Sequence, residues 1–381
     1  MRILIIASYA PSLINFRGSL LHALTSLGHQ VSVSAQFRGI EHSDTLQKLK
    51  SIGVRTNSVS FDRGGLNPIA DMLCLLRLLV VIRKCEPDCI LAYTVKPIVY
   101  AGLAMQIHGL LRRRRPIHFV ALITGLGFAF TQGDAGVFRS ALRYFMQYLY
   151  RASLRSAGSI IFQNPDDMAE FCSMNLLPAN ARVERIWGSG VDLKLFTPQP
   201  LPEQPIFLLL ARLLADKGIR EYICAARLVK VIFPSALFRL AGMLDTNPSS
   251  ITRDELNQWI SEGVIEYLGD LSSVQPALAA CRFYVLPSYR EGTPRSVLEA
   301  MATGRPILTT NAPGCRETVI DGVNGFLVPP RNSEALANAM LRLIEQPESE
   351  THRMAQASLN LARERFDVHK VNTQLLEAMG A

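Results

Sequence analysis

Two glutamates, Glu291 and Glu299, bracket a turn that could seat a phosphate. The apolar run Phe283–Leu286 ends at a proline and predicts a buried parallel strand, whereas Val297–Ala302 has helical character. A turn that opens a helix presents unpaired backbone N–H groups and the positive end of the helix dipole, and both attract phosphate. The layout suits a nucleotide-sugar, with the sugar at Glu291, the diphosphate at the turn and the ribose at Glu299.

The same spacing also occurs in an ordinary strand-to-helix turn that has one glutamate near the helix start and another on the helix surface. The two glutamates alone therefore leave both interpretations open. If a nucleotide-sugar binds here, the residues that contact it are those of the turn, namely Gly292, Thr293, Pro294, Arg295 and Ser296.

A second charged stretch, from Arg212 to Lys217, follows the apolar run Ile206–Leu210. Arginine offers a planar fork of donors and lysine a mobile point charge, so the two can converge on one anion. Aimed at a diphosphate leaving group, they would stabilise the charge that grows in the transition state. The alternative is two surface cations around a turn. No Asp-x-Asp pair stands in a plausible metal-binding loop, so we expect neither a metal ion nor another cofactor.

The segment from Val285 to Leu308 resembles the glutamate-x7-glutamate motif of the retaining glycosyltransferases of family 4, which have the GT-B fold. The resemblance continues through residues 309–330, which are similar to the strand–turn–strand that follows the motif in that family. It implies that the protein is a glycosyltransferase that moves a sugar from a nucleotide donor. Like most enzymes with the GT-B fold, it is then expected to work without a metal ion.

The resemblance also assigns roles to single residues. The family has an arginine and a lysine at the positions of Arg212 and Lys217, where they bind the donor diphosphate, so these two and Glu291 are the expected catalytic residues. Glu299 is expected to bind the donor ribose. The stretch that contains Tyr267 and Gly269 resembles the strand–glycine element near the nucleotide base, which we expect to be uracil.

In the first half of the chain, Arg17 and Lys96 follow predicted strands, and ligands bind at such strand ends in open α/β sheets. Each could contact an acceptor phosphate or be a solvated cation. Many family-4 enzymes have a histidine where this chain has Thr124 or Gly125, and we expect these two residues to lie at the acceptor. No general base is identified, but in a retaining front-face reaction the departing phosphate oxygen can act as the base.

Three segments, Tyr93–Pro97, residues 123–131 and residues 312–317, are together similar to a subgroup of the family that builds bacterial surface polysaccharide. The resemblance implies transfer of a hexose or an N-acetylhexosamine of the GalNAc or GlcNAc type. The donor would be a UDP-sugar and the acceptor a polyprenyl-diphosphate-linked saccharide, as in O-antigen assembly. The alternative is a non-transferring GT-B enzyme such as a UDP-sugar epimerase, although such enzymes usually lack the complete set of two glutamates, arginine and lysine.

Predicted strands and helices alternate along the chain, which indicates parallel sheets with helices on both faces. The pattern stops at a proline-rich stretch between residues 198 and 205 and then restarts. We therefore expect an α/β protein of two Rossmann-like domains with a cleft between them. The predicted parts are an acceptor- and membrane-facing domain at 1–190, a nucleotide-sugar domain at 198–365, and a C-terminal helix at 366–381. In the GT-B family this last helix crosses back to the first domain.

The net charge of +8 is unevenly placed, because residues 1–190 hold 21 Lys and Arg against 11 Asp and Glu. A basic half suggests an anionic partner, either nucleic acid or a membrane. Arg139, Arg143, Arg151 and Arg155 accompany aromatic residues in one predicted helix, which suits an anionic membrane surface, although a solvated helix face is the alternative. No nucleic-acid recognition motif is present in the sequence, so nucleic acid is not an expected partner.

The sequence also gives an expected location. The N-terminal apolar run is too short for a signal peptide and predicts a first strand, and no run reaches the roughly 20 apolar residues that span a bilayer. The seven cysteines include no C-x-x-C pair, which indicates reduced thiols. We therefore expect a cytoplasmic protein that binds the inner membrane peripherally.

Overall fold

The computed structural model describes residues 1–37, 43–61, 67–111, 116–125, 137–245, 247 and 249–381, without the side chains of residues 111 and 137–142. The chain divides into two compact units. The first unit comprises Met1–Ser189 and Val371–Ala381, and the second comprises Gly190–Lys370. The side chain of Arg139 and the part of the 123–131 segment beyond Gly125 lie outside the described residues.

The first unit is built on a parallel sheet, whose seven strands all lie within the described residues. The strands are β1 (Arg2–Ile6), β2 (Gln30–Ala35), β3 (Arg55–Ser58), β4 (Cys89–Tyr93), β5 (His118–Ile123), β6 (Ser159–Phe162) and β7 (Arg182–Arg185). Their order is β3-β2-β1-β4-β5-β6-β7. The helices that connect them are α1 (Pro11–Asn15), α2 (Gly18–Ser26), α3 (Ser43–Ser51), α4 (Pro68–Cys85), α5 (Val95–Leu111), α6 (Val137–Leu154) and α7 (Pro165–Ser173).

The second unit repeats this architecture with six parallel strands in its described part. They are β8 (Ile206–Leu210), β9 (Leu237–Ala241), β10 (Glu266–Tyr267), β11 (Phe283–Leu286), β12 (Ile307–Thr310) and β13 (Gly325–Val328), in the order β10-β9-β8-β11-β12-β13. The helices are α8 (Ile219–Ile232), α9 (Arg253–Ser261), α10 (Gln275–Ala279), α11 (Arg295–Ala302), α12 (Ser333–Glu345), α13 (Glu348–Arg365) and α14 (Val368–Met379). The predicted α/β architecture with two parallel sheets is confirmed.

The central strands of both sheets are buried on both faces, which explains their unbroken apolar sequences. In the first sheet, Leu4, Ile5 and Ile6 are all fully buried. In the second, the ring of Phe207 lies 5.1 Å from that of Phe238 and 5.0 Å from that of Phe283, so three adjacent strands share one aromatic contact. Helices cover both faces of each sheet because neither face can be left in water.

The unit boundaries differ from the predicted ones at two places. The proline-rich stretch belongs to the second unit, where the buried guanidinium groups of two arginines fix its backbone. Arg305 donates to the carbonyls of Gln199 and Pro200, and Arg282 donates to that of Pro202. The helix α14 begins within the second unit, whereas its residues from Val371 onward pack in the core of the first.

Both strand orders place a topological switch point between two central strands, at β1 and β4 in the first unit and at β8 and β11 in the second. Connections from neighbouring strands run in opposite directions at such a point, and this leaves a crevice at the carboxyl ends of the strands. Arg17 and Lys96 lie in the segments that follow β1 and β4. Arg212, Lys217 and Glu291 lie in the segments that follow β8 and β11. No helix among the described residues is both long enough and apolar enough to cross a bilayer.

Candidate active site

Lys217 and Glu291 meet at the carboxyl edge of the second sheet. They follow the neighbouring strands β8 and β11, which pair in register through Phe207 and Phe283. The Lys217 Nζ atom lies 2.5 Å from Glu291 Oε1, and both side chains are only 16% exposed. Burial by itself would lower the pKa of Lys217, but the charges of Glu291 and Asp216 outweigh it, so the pKa is raised and the ammonium stays charged.

The loop after β11 holds Glu291 through a second donor and through its backbone. The Ser288 hydroxyl donates to Glu291 Oε1 at 2.7 Å, and the Glu291 N–H donates to the Pro313 carbonyl at 2.9 Å. The Thr310 hydroxyl donates to the Ser288 carbonyl. Ser288 is not predicted from the sequence, although its place between a buried strand and the first glutamate was the available signal. Contacts within the protein therefore fix both the side chain and the backbone of Glu291.

Two glycines permit the close approach of these loops. Gly218 has φ +70°, and a Cβ atom there would lie 2.1 Å from the Pro287 carbonyl oxygen. Gly314 has φ +79°, and its Cβ atom would lie 2.2 Å from the Glu291 carbonyl oxygen. Any larger residue would displace the backbone that carries Glu291. Gly314 lies in the segment that resembles the family, but its role follows only from the structure.

Arg212 has a carboxylate partner of its own. Its Nη1 atom lies 2.8 Å from Asp245 Oδ2, and about half of its side chain is exposed. The sequence predicts that Arg212 and Lys217 can converge on one anion, whereas here each cation pairs with a different carboxylate. The charge of Arg212 is nonetheless close enough to Lys217 to lower the pKa of that lysine, although the net shift is upward.

Helix α11 begins at Arg295, two residues before the predicted start, because Pro294 already occupies the N-cap position in an extended conformation. Arg295 and Ser296 thus belong to the first helical turn, and the turn before the helix ends at Pro294. Glu299 is 8% exposed, and its Oε1 atom accepts a hydrogen bond from Arg295 Nε at 2.7 Å. Burial raises the pKa of Glu299 despite the opposing effect of Arg295.

Tyr267 and Gly269 lie beside this site at the end of β10. The Tyr267 hydroxyl donates to the Gly242 carbonyl at 2.7 Å, and the Gly242 N–H donates to the Gly269 carbonyl at 2.8 Å. Gly269 itself has φ +75°. The residues predicted to lie near the nucleotide base thus form a hydrogen-bonded pair of loops that follow β9 and β10.

In the first unit, the four predicted acceptor residues follow the adjacent strands β1, β4 and β5. Arg17 is 2% exposed, and its guanidinium carbon lies 5.3 Å from the centre of the Tyr93 ring, so it is not a solvated cation. Lys96 Nζ lies 3.0 Å from Asp71 Oδ1. Thr124 and Gly125 are partly exposed at the end of β5.

The predicted membrane residues lie on and just beyond α6. Arg143, Arg151 and Arg155 are exposed, and Arg155 follows the end of the helix. Arg143 lies 3.7 Å from a carboxylate oxygen of Glu170. Arg151 donates to the carbonyls of Met174 and Asn175, so it also connects α6 to the end of α7. The side chain of Arg139 is not among those described.

Comparison with known proteins identifies the family. A family profile described as "Glycosyl transferases group 1" matches residues 204–346. The chain is also 30% identical over 359 residues to the N,N'-diacetylbacillosaminyl-diphospho-undecaprenol alpha-1,3-N-acetylgalactosaminyltransferase of Campylobacter jejuni, and the match covers 91% of this chain and 90% of that enzyme. The chain belongs to the group 1 glycosyltransferases.

A further relative agrees with that assignment, and two solved structures share the fold of this glycosyltransferase. The chain is 24% identical to the UDP-Gal:alpha-D-GlcNAc-diphosphoundecaprenol alpha-1,3-galactosyltransferase of Escherichia coli, over 73% of this chain and 71% of that enzyme. Among solved structures, the sucrose-phosphate synthase of Thermosynechococcus elongatus matches with a TM-score of 0.77 at 20% identity, covering 98% of this chain and 97% of that one. HepE of Anabaena in complex with UDP matches with a TM-score of 0.76 at 22% identity and covers all of both chains.

These matches confirm the GT-B fold and the transferase activity of this glycosyltransferase. Within the described part of the chain, no three His, Cys, Asp or Glu side chains are grouped so that they could share a metal ion. Metal independence stays a prediction.

Proposed function

We propose that this glycosyltransferase moves a hexose or an N-acetylhexosamine from a UDP-sugar to a polyprenyl-diphosphate-linked saccharide in the assembly of a bacterial surface glycan. The contact between Lys217 and Glu291 at the switch point of the second sheet carries the proposal, since it joins the expected diphosphate ligand to the expected sugar ligand. The proposal is further supported by two relatives whose names specify undecaprenol-linked acceptors.

The donor diphosphate is proposed to lie at the start of α11, against the turn Gly292–Pro294 and the first-turn residues Arg295 and Ser296. The N–H groups and dipole of this helix end favour an anion there. Arg212 and Lys217 add two charges, and the half-exposed Arg212 would exchange its contact with Asp245 for one with the diphosphate. Glu299 would accept hydrogen bonds from the ribose, and the loops of Tyr267 and Gly269 would contact the uracil.

In the proposed reaction, the bond between the anomeric carbon and the diphosphate oxygen breaks, and the acceptor hydroxyl forms the new bond on the same face of the sugar. Retention of configuration follows from this front-face geometry. The departing phosphate oxygen takes the proton of the acceptor hydroxyl, so no protein base is required. Lys217 and Arg212 stabilise the charge that develops on the diphosphate, which is the task a metal ion would otherwise perform.

The acceptor is proposed to approach the first unit, where Arg17, Lys96, Thr124 and Gly125 follow neighbouring strands. Its polyprenyl chain would remain in a membrane, and the excess of Lys and Arg in residues 1–190 would attract an anionic bilayer. We propose a cytoplasmic enzyme that binds the inner-membrane surface peripherally. No role in nucleic-acid binding is proposed.

The test is incubation of the purified enzyme with UDP-Glc, UDP-Gal, UDP-GlcNAc and UDP-GalNAc, with and without GlcNAc-diphosphate carried on a short water-soluble polyprenyl chain. We expect release of UDP from one or two donors, at least about tenfold faster with the acceptor, and the same rate in EDTA. The product linkage should be α when an α-linked donor is used, as determined by NMR. No acceptor-dependent release from any donor would contradict the proposal, and a β linkage would contradict retention.

A further inference from the structure

Helix α4 is apolar on its outer surface as well as on its inner one. Its buried residues include Cys74, Leu78 and Ile82, which pack in the core of the first unit. On the outside, five large apolar side chains are between 49% and 75% exposed, and they are Ile69, Met72, Leu73, Leu76 and Val80. A surface helix normally turns polar and charged residues, and not a row of large apolar ones, towards solvent. The exposed side of α4 therefore requires an explanation other than packing within the unit.

The five exposed side chains form one continuous stripe, which we call the α4 stripe. Counted from Ile69, the others follow after three, four, seven and eleven residues, so all five lie within an arc of about 100° on a helix with 3.6 residues per turn. The stripe runs for about 16 Å along the axis. A groove of about 370 Å³ lies along it and is lined by Ser58, Leu73, Leu76, Arg77, Val80 and Val81.

The neighbouring helices extend this surface. Helix α5 packs against both α4 and α6, so the three lie side by side on one face of the first sheet. Leu110 on α5 is exposed, as are Tyr144, Phe145 and Tyr148 on α6. Among the described side chains of the three helices, Arg77, Arg83, Lys84, Arg143 and Arg151 are exposed. The single acidic residue of the three helices, Asp71, is paired with Lys96. The surface is thus both apolar and strongly basic.

We propose that the α4 stripe inserts into the interfacial layer of an anionic phospholipid bilayer, with α6 lying on the same surface. The proposal rests on the proposed function, which brings the enzyme to a lipid-linked acceptor. An apolar stripe flanked by cations is the pattern of a helix that lies in the membrane plane. Arg77, Arg83 and Lys84 border the stripe, and their alkyl stems can reach along apolar surface while their charges contact lipid phosphates.

Charge complementarity favours a bilayer over a second copy of this chain. In a dimer formed through this surface, two sets of exposed cations would face each other, while Asp71 is already paired with Lys96 and Glu170 lies beside Arg143. Like charges in contact oppose association. Anionic lipid phosphates instead neutralise these charges. The arginines of α6 alone would give an attraction that salt abolishes, whereas the stripe adds an apolar contribution that salt does not screen.

The first test measures binding of the full-length enzyme to vesicles by flotation. The vesicles contain about one-third anionic phospholipid, and no substrate is present. The variant Leu73→Asn/Leu76→Asn/Val80→Asn should lower the partition coefficient at least about tenfold. The matched control is Leu228→Asn/Val231→Asn/Ile232→Asn, which changes three exposed apolar residues of α8 and should bind as wild type does. Equal binding of both variants, or wild-type binding that disappears completely in 1 M salt, would contradict insertion.

The second test locates the helix directly. A tryptophan introduced by Leu76→Trp should lose most of its added fluorescence with vesicles of bromine-labelled lipids, whereas one introduced by Val231→Trp should keep it. This readout is independent of stability and of activity. If instead Leu76→Trp is unquenched and sedimentation shows a dimer that the triple α4 variant abolishes, the stripe is a self-association surface and the proposal is wrong.

Activity separates this inference from the proposed function. With the water-soluble acceptor, the triple α4 variant should turn over at the wild-type rate. With the acceptor embedded in anionic vesicles, it should be at least about tenfold slower. If the wild type transfers no sugar to either acceptor, the proposed function fails while the vesicle results still decide the role of the stripe. If the triple α4 variant is as active as the wild type on both acceptors, the proposed function stands and the inference about the α4 stripe fails.

Discussion

The two cations of the candidate site, Lys217 and Arg212, are each paired with a carboxylate, but the two pairs differ in exposure. Lys217 is mostly buried against Glu291, whereas Arg212 is half exposed against Asp245. A diphosphate bound here, as we propose, would attract Arg212 at little cost but would meet Lys217 in a fixed position. Preorganised charge of this kind acts on the transition state because it does not have to reorient during the reaction.

We expect Arg212→Ala and Lys217→Ala each to lower kcat/KM by about 30- to 1000-fold, since each removes a charge-assisted contact that strengthens as the diphosphate departs. Rates of UDP release with the soluble acceptor measure the loss. The matched control is Arg227→Ala, which removes another arginine–carboxylate pair of the same unit, with Glu262, and should stay within about twofold of wild type. Near-normal rates in both site variants would refute the diphosphate role.

We expect the buried carboxylate of Glu299 to lower the free energy of unfolding near neutral pH. We expect the same carboxylate to bind the donor ribose. Because burial raises its pKa, the folded state binds the proton more tightly than the unfolded state, so stability falls as the pH rises above the ordinary value of 4.5. Glu299→Gln should therefore raise Tm by a few degrees near pH 7 and by less near pH 4, as calorimetry would show. It should also weaken UDP binding by about 10- to 100-fold, because a charged acceptor is lost.

The variant Glu291→Gln is the comparison for the predicted loss of UDP binding in Glu299→Gln. It should leave UDP affinity nearly unchanged and lower kcat, because Glu291 is proposed to act beside the transferred sugar. The ribose role of Glu299 would be disproved by a Glu299→Gln variant that binds UDP as tightly as wild type.

At the scale of the secondary-structure elements, the site consists of three loops that follow adjacent strands and hold one another in place. The loop after β11 is tied to the short 3-10 helix Ala215–Lys217, because the Tyr289 N–H donates to the Asp216 carbonyl. It is tied to the segment after β12 through Pro313 and Gly314. The position of Glu291 is therefore a property of the group of loops and not of its own loop alone.

A pair of glycines tests this dependence. Gly314→Ala and Gly304→Ala both place alanine at φ +79°, but only the first brings the new Cβ atom against the Glu291 carbonyl oxygen, whereas the second meets no heavy atom within 4 Å. Both should lose about 1 kcal/mol of stability from the left-handed backbone. The Gly314 variant should also lose about 100-fold in kcat, because relief of a 2.2 Å contact moves Glu291 by about 1 Å. Equal rates for the two variants would show that the contact does not position Glu291.

At the scale of the whole molecule, the net positive charge lies in residues 1–190, which carry +10 (21 Lys and Arg against 11 Asp and Glu), whereas residues 191–381 carry −2 (19 against 21). The structure adds that Arg151 also holds the end of α7, so reversing its charge would disturb the fold as well as any membrane contact. Arg143 and Arg155 can be changed with less effect on packing because both are exposed.

We expect Arg143→Glu/Arg155→Glu to reduce binding to anionic vesicles by about 30-fold or more at physiological salt, since each cation near such a surface contributes about 1 kcal/mol. Wild-type binding should weaken as salt rises, because the attraction is screened. Flotation measures both effects. The control Arg227→Glu/Arg353→Glu changes two exposed arginines of the second unit and should bind normally, with unchanged UDP affinity in both variants. Unchanged vesicle binding by the α6 variant would show that its arginines only face water.

Much of the fold and part of the site could be predicted from the sequence because they are encoded locally. Apolar runs such as Phe283–Leu286 must be buried on both faces, and the alternation with helices then requires parallel sheets. The strand, turn and helix that carry Glu291 and Glu299 lie in one stretch of the chain. Their order, the glutamate spacing and the uneven charge needed no information from distant residues.

The tertiary structure decided which of these residues meet. Lys217 and Glu291 are 74 residues apart, and they come into contact only because β8 and β11 are neighbours in the sheet. The burial of Arg17, the fit of Gly314 against Glu291 and the outward apolar side of α4 likewise depend on what packs beside them. The periodicity of the sequence indicates which apolar residues are buried. The residues that bury each of them are determined only by the order of the strands and the positions of the helices.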